Sequence, residues 1–162
     1  MPPAPPSAQP EAQVYKQGAR VGGYTLPDLA GRPTRLARWQ GKVLLLNFWA
    51  TWCGPCRSEM PMLARMQRVH AGDGLQIVGI AMEQAQATKP FLDALRIDYP
   101  ILVGINADPM PTTTFGDTAG ALPYSVLVSR SGRVLATHLG VLDPANVTAW
   151  LARAGQGASD DR

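Results

Sequence analysis

The chain has 162 residues, a formal net charge of +3, 46% hydrophobic and 17% charged residues. That length and mixture suit one ordinary globular domain with a substantial core. No apolar run approaches the roughly 18 residues needed to cross a bilayer, and no apolar leader opens the sequence. Its positive charge comes from twelve arginines and three lysines. Arg32, Arg35 and Arg38 lie close together without interleaved aromatics, a solvated face and not a nucleic-acid site.

Residues 1–17 carry five prolines in the first ten positions and no apolar periodicity, so an extended, unpacked linker is expected there. The folded domain is expected over 18–154, with a Gly-, Ser- and Asp-rich tail over 155–162. Tyr24–Leu26 and Thr34–Leu36 flank a turn-rich stretch and predict an N-terminal β-hairpin. The apolar run Val43–Trp49 predicts a buried strand. A helix follows from about 54 to 71, ended by Gly72, with Pro61 inside to kink it. Met60, Met62, Leu63 and Met66 fall on its inner side, where methionines pack a core rather than handle copper. Leu75–Met82 predicts the next strand, and Pro90–Arg96 a helix with Thr88 as its N-cap. Tyr99–Val103 predicts a short strand, while Asp108–Phe115, with Pro109 and Pro111, is ambiguous. Tyr124–Ser129, the Ser131-Gly132 turn and Val134–Leu139 predict a hairpin. Asp143 is expected to cap a last helix with Pro144 first and Val147, Trp150 and Leu151 facing inward.

The strongest signal lies between the first long strand and its helix. Trp52-Cys53-Gly54-Pro55-Cys56 holds the only two cysteines. At a strand-to-helix junction the first sulfur lies over the free amides of the helix N-terminus, which favour the thiolate. Cys53 is therefore the expected exposed nucleophile and Cys56, one turn further in, the buried resolving thiol. A metal site would need two further ligands, and His70 and His138 each stand alone in their segments, so no metal is expected. A purely structural bridge across two residues would stabilise little. Reversible thiol–disulfide chemistry is the reading that remains.

Asn47-Phe48-Trp49-Ala50-Thr51-Trp52-Cys53-Gly54-Pro55-Cys56, the Tyr24-Thr25-Leu26-Pro27-Asp28-Leu29 opening, Gly41-Lys42 and Leu122-Pro123 together resemble the thioredoxin-fold proteins. More closely, they resemble the TlpA/ResA-like (DsbE-related) thiol-disulfide oxidoreductases, over residues 18 to 153. The resemblance implies an α/β thioredoxin fold, a central mixed sheet flanked by helices, with an N-terminal hairpin and a central insertion within 84–116. It also implies a cis Pro123 opposite the active-site disulfide, with Leu122 offering its backbone to an extended substrate and Trp52, Gly54 and Pro55 shaping the docking surface. Where thioredoxins carry a buried Asp this chain has Asn47, which cannot take up a proton. The resemblance then points to a Glu from the following strand, here Glu83, as the proton relay for Cys56.

The implied activity is dithiol–disulfide exchange through Cys53 and Cys56, without organic cofactor or metal. The implied role is reduction of disulfides in exported proteins, apocytochrome c being the family's best-known case. Electrons would come from a membrane thiol transporter of the DsbD/CcdA type. An extracytoplasmic or periplasmic, membrane-anchored setting and a monomer are expected, the leader or anchor being absent from this chain. Three alternatives stay open. A dithiol oxidase would run the same residues in reverse, although Gly-Pro between the cysteines resembles the reductant thioredoxin. A peroxiredoxin shares the Leu-Pro-Asp-Leu opening, but its peroxide-reducing cysteine sits in another loop. A Sco-like copper-delivery module would need a Cys-x-x-x-Cys and a placed histidine.

Overall fold

A computed structural model of the protein describes residues 14–157. Strands β1 (Thr25–Pro27) and β2 (Pro33–Arg35) form the expected antiparallel hairpin, closed by an Asp28 side chain that accepts from the amides of Ala30 and Arg32. The main sheet has the order β5-β4-β3-β6-β7. Its centre is β3 (Val43–Trp49), every residue of which is buried, paired in parallel with β4 (Leu75–Ala81) and antiparallel with β6 (Tyr124–Val128). β5 (Ile101–Val103) lies parallel at one edge and β7 (Val134–Leu139) antiparallel at the other. A strand buried on both faces needs an unbroken apolar run, which is how 43–49 reads.

Side chains of β3 alternate between two cores, as the pleat requires. Leu44, Leu46 and Phe48 join Val78, Ile80, Phe115, Tyr124 and Val126 beneath the hairpin. Leu45 and Trp49 point the other way, into a core shared with Met60 and Leu63 of α1 (Gly54–His70) and with both cysteines. Asn47 lies between these two in the alternation, so the polar residue of the central strand faces α1.

Several elements differ from expectation. Helix α1 ends at His70 and a 3-10 turn follows, because Gly74 and not Gly72 takes the left-handed conformation (φ 88°). Helix α2 (Ala85–Leu95) starts before Thr88; that residue is fully buried inside it and its hydroxyl donates to the Ala85 carbonyl at 2.7 Å. The ambiguous segment holds a cis Asp108–Pro109 bond and the four-residue α3 (Pro111–Thr114). Helix α4 (Pro144–Gly157) is capped as expected, Asp143 accepting from the Asn146 amide at 2.7 Å, but it continues beyond residue 155. The expected linker is packed at its inner end, where Tyr15 lies against Tyr24 and Phe115 with ring centroids 6.0 and 5.2 Å away. Burying that ring outweighs the extended tendency of the preceding prolines. Residues 1–13 and 158–162 of the expected tails lie outside the described residues.

Both edges of the sheet are partly occupied. Asp28 of the hairpin turn bridges Leu102 at the middle of β5, and Arg20 bridges Arg133 beside β7. The Val134 carbonyl accepts from the Gly18 amide at 2.7 Å, and the Leu135 carbonyl from the Arg153 guanidinium at 3.0 Å.

Candidate active site

The central strand β3 ends at Trp49, and Ala50-Thr51-Trp52 carries the chain from its C-terminal end into α1. Cys53 is the N-cap of that helix, with Gly54 and Pro55 in its first turn. Proline is suited to this place because the amide it lacks would have had no helical partner. The Cys53 sulfur accepts from the Cys56 amide at 3.3 Å, and the two cysteines are joined as a disulfide with Cα atoms 5.3 Å apart. The positive helix end and this amide favour a thiolate at Cys53 once the bond is reduced. Cys53 is only 6% exposed in the oxidised protein, whereas exposure was expected; its sulfur is drawn onto the helix by the bond to Cys56, itself wholly buried. Trp52, at 70% exposed, is the side chain that stands out from the surface, and Gly54 and Pro55 are exposed beside it.

Leu122 packs against both cores, including the one that contains the cysteines, and the Leu122–Pro123 bond is cis. The Pro123 carbonyl is taken by the Gly140 amide at 2.9 Å. Among the described residues no hydrogen bond uses the Leu122 amide or carbonyl.

Glu83 is partly buried just beyond β4, and its Oε1 accepts from the Thr51 amide at 2.8 Å. It thus fixes the loop that carries Trp52 and Cys53. The enclosed carboxylate is a different one. Glu59, one helical turn beyond Cys56, is 1% exposed. Its Oε1 accepts from Asn47 Nδ2 at 2.7 Å and its Oε2 from the Leu142 amide at 2.5 Å. Asn47 Nδ2 also donates to Ser125 Oγ at 3.1 Å. Burial raises the proton affinity of Glu59 above the ordinary carboxylate range, opposed by the Leu142 and Asn47 hydrogen bonds and by the charge of His138. Tyr99, buried nearby, is held neutral by burial and by the carboxylates of Glu59 and Asp98. Asn47 therefore does not replace an acid with nothing: it anchors one supplied by the facing helix.

Sequence reasoning passed over Glu59. The signal was present, since Cys56, Met60 and Leu63 recur at i, i+4 and i+7 and Glu59 falls on the same inward stripe. A charge on the apolar side of a helix rarely stays buried without partners.

Rings complete the neighbourhood. Trp49 stacks on Phe91 of α2 at 5.6 Å between centroids, and the Arg57 guanidinium lies 5.6 Å from the Phe91 ring. The arrangement places a disulfide, an enclosed carboxylate and a stretch of backbone without hydrogen-bond partners among the described residues around one helix end.

Comparison with known proteins agrees with this chemistry. The AhpC/TSA family matches over residues 18–149. The thioredoxin-like protein YneN of Bacillus subtilis is 36% identical over 118 residues, covering 66% of this chain and 69% of YneN. The thiol-disulfide oxidoreductase ResA of Geobacillus kaustophilus is 27% identical over 143 residues, covering 83% of this chain and 82% of ResA. The crystal structure of a thioredoxin-family thiol:disulfide interchange protein from Chlorobium tepidum superposes with a TM-score of 0.68 at 27% identity, covering 86% of this chain and 97% of that one. The chain belongs to the AhpC/TSA family, and within it to the TlpA/ResA-like thiol-disulfide oxidoreductases of thioredoxin fold.

Proposed function

We propose that this protein works as a reductant, passing two electrons from the Cys53/Cys56 dithiol to disulfides of exported proteins, with apocytochrome c among its substrates. The observation that carries the exchange chemistry is the buried Glu59 on the same helix as Cys56, held at both oxygens and raised in proton affinity. The Cys53 thiolate attacks a substrate sulfur, forming a mixed disulfide and releasing the first substrate thiolate, which takes a proton from solvent. Glu59, rather than Glu83, then accepts the proton of Cys56. The Cys56 thiolate attacks Cys53 Sγ, closing the enzyme disulfide and expelling the second substrate sulfur as a thiolate, which takes a proton from solvent while Glu59 returns its own to solvent. Glu83 keeps the Trp52 loop in place, while Trp52, Gly54 and Pro55 face the substrate and the Leu122 backbone pairs with its extended segment.

A membrane thiol transporter of the DsbD/CcdA type would restore the dithiol, and the domain would act as a monomer outside the cytoplasm, tethered to a membrane. Gly54-Pro55 between the cysteines, as in thioredoxin, supports the reducing direction. The test is the reduction potential of Cys53/Cys56, by equilibration against a dithiol buffer with Trp fluorescence as readout. A value of roughly −270 mV or lower is expected; one near −120 mV would make the protein an oxidant. Reduction of a disulfide-bonded Cys-x-x-Cys-His peptide then tests the substrate class.

A further inference from the structure

One row of the sheet is polar. Gly79, Asn47, Ser125 and His138 stand in register across β4, β3, β6 and β7. The row runs from the enclosed Glu59 to a partly exposed imidazole at the sheet edge, where His138 meets Trp150 of α4 edge-on at 6.4 Å.

A second connection joins the same two ends. His138 Nε2 lies 3.2 Å from the Val141 carbonyl, and the Leu142 amide donates to Glu59 Oε2. That carbonyl and that amide are the two ends of one peptide group. A carbonyl only accepts, so the proton of the neutral ring sits on Nε2 and the second proton enters at Nδ1. Donation from the ring into the carbonyl polarises the peptide and strengthens the amide's bond to the carboxylate.

We propose that His138 is a positioning residue for Glu59, transmitting its own protonation to the carboxylate through the Val141–Leu142 peptide. The inference rests on the reading of Glu59 as proton acceptor for Cys56. A charged imidazolium stabilises the Glu59 carboxylate, and by linkage an ionised Glu59 holds the His138 proton more tightly by the same factor. When Glu59 takes the proton of Cys56, His138 loosens its own. Among the described residues, His138 is the one charged side chain with a resolved influence on Glu59, smaller than burial and the two hydrogen bonds. Tyr99 stays neutral, Ser125 and Asn47 are uncharged, and Arg153, the cation α4 brings to β7, is engaged at the Leu135 carbonyl. The 140–142 turn also holds the Pro123 carbonyl through Gly140, so one turn touches the docking strand and the proton acceptor alike.

The chain suits a direct test, because it has three glutamates (Glu11, Glu59, Glu83) and two histidines (His70, His138). The oxidised full chain, labelled with carbon-13 at the glutamate carboxyls, would be titrated by NMR with the imidazole signals followed in parallel. Glu59→Gln assigns the carboxyl. The Glu59 carboxyl is expected to show a second inflection at the midpoint of His138. His138→Gln, which can keep a donor to the Val141 carbonyl, should lose that inflection. His138→Phe should raise the proton affinity of Glu59 about threefold, half a pH unit. The pH profile of disulfide reduction should shift in the same direction in both variants. A wild-type Glu59 curve with no inflection at the His138 midpoint would overturn the proposal without any variant having to fold. If Glu59→Gln resolves the mixed disulfide at the wild-type rate, the relay itself fails, and that result is separate from the titration curves.

Discussion

The two faces of the central sheet are packed from the same strands but to different ends. Beneath the hairpin, Phe48 meets Phe115 and Tyr124 at 5.8 and 5.9 Å, and Phe115 meets Tyr24 edge-on at 5.1 Å, in a core of aliphatic and aromatic groups. Facing α1, the same strand contributes Asn47, and the core there encloses a carboxylate, a disulfide and the unpartnered Trp49 indole nitrogen. One face is built mainly from apolar and aromatic burial, with the Tyr124 hydroxyl donating to the Phe115 carbonyl at 2.8 Å. The other accepts buried polar groups that cost stability unless satisfied, and it holds the disulfide and the carboxylate on which the proposed exchange depends. Alternation along β3 is what keeps the two apart.

Six substitutions would sharpen or break this division. Cys53→Ser should abolish exchange, while Cys56→Ser should leave a mixed disulfide that accumulates on a non-reducing gel; turnover by either variant would remove the mechanism. On the opposite face, Phe48→Ala should cost about 3–5 kcal/mol in denaturant unfolding and leave the reduction potential unchanged. If the potential moved, the faces would not be independent. Glu59→Gln should slow resolution of the mixed disulfide about a hundredfold at neutral pH, read by rapid quench, and Glu83→Gln far less. Trp52→Ala should weaken protein substrates severalfold through KM, with thermal stability unchanged because the ring is 70% exposed.

The smallest expected effect is on stability against pH. Glu59 holds its proton more tightly folded than unfolded, so the folded state binds more protons as pH rises above the ordinary carboxylate range. Stability should therefore fall through that window until the folded group has ionised, and Glu59→Gln should flatten the slope. Denaturant midpoints at about pH 5 and 8 would show it; a slope unchanged in the variant would mean another group carries it.

Much of this was legible in the chain. The unbroken run 43–49, the cysteine pair at a helix start and the hairpin around Pro27–Pro33 are local patterns, and the structure reproduces each. Glu59 was hidden because its partners, Asn47 and the Leu142 amide, are 12 and 83 residues away. Sequence can show a charge on an apolar stripe but not which distant groups satisfy it. Thr88 looked like a cap because its hydroxyl bonds to local backbone in either position, and Tyr15 looked like linker because its neighbours Tyr24 and Phe115 meet only in the folded chain.

The bridges at the sheet margins bear on how this protein meets other chains. A thiol exchanger must accept an extended peptide, and any open strand border invites pairing with unfolded or aggregating chains as well. Asp28 against Leu102 and the Gly18 and Arg153 bonds to β7 occupy backbone groups on both borders. The unoccupied Leu122 backbone lies elsewhere, packed against the core that holds the disulfide. Strand addition is thereby hindered at both borders, while the Leu122 backbone, where the proposed substrate would pair, has no hydrogen-bond partner among the described residues. In the proposed function, preference for cysteine-bearing partners over arbitrary unfolded ones would begin with the shape of the sheet.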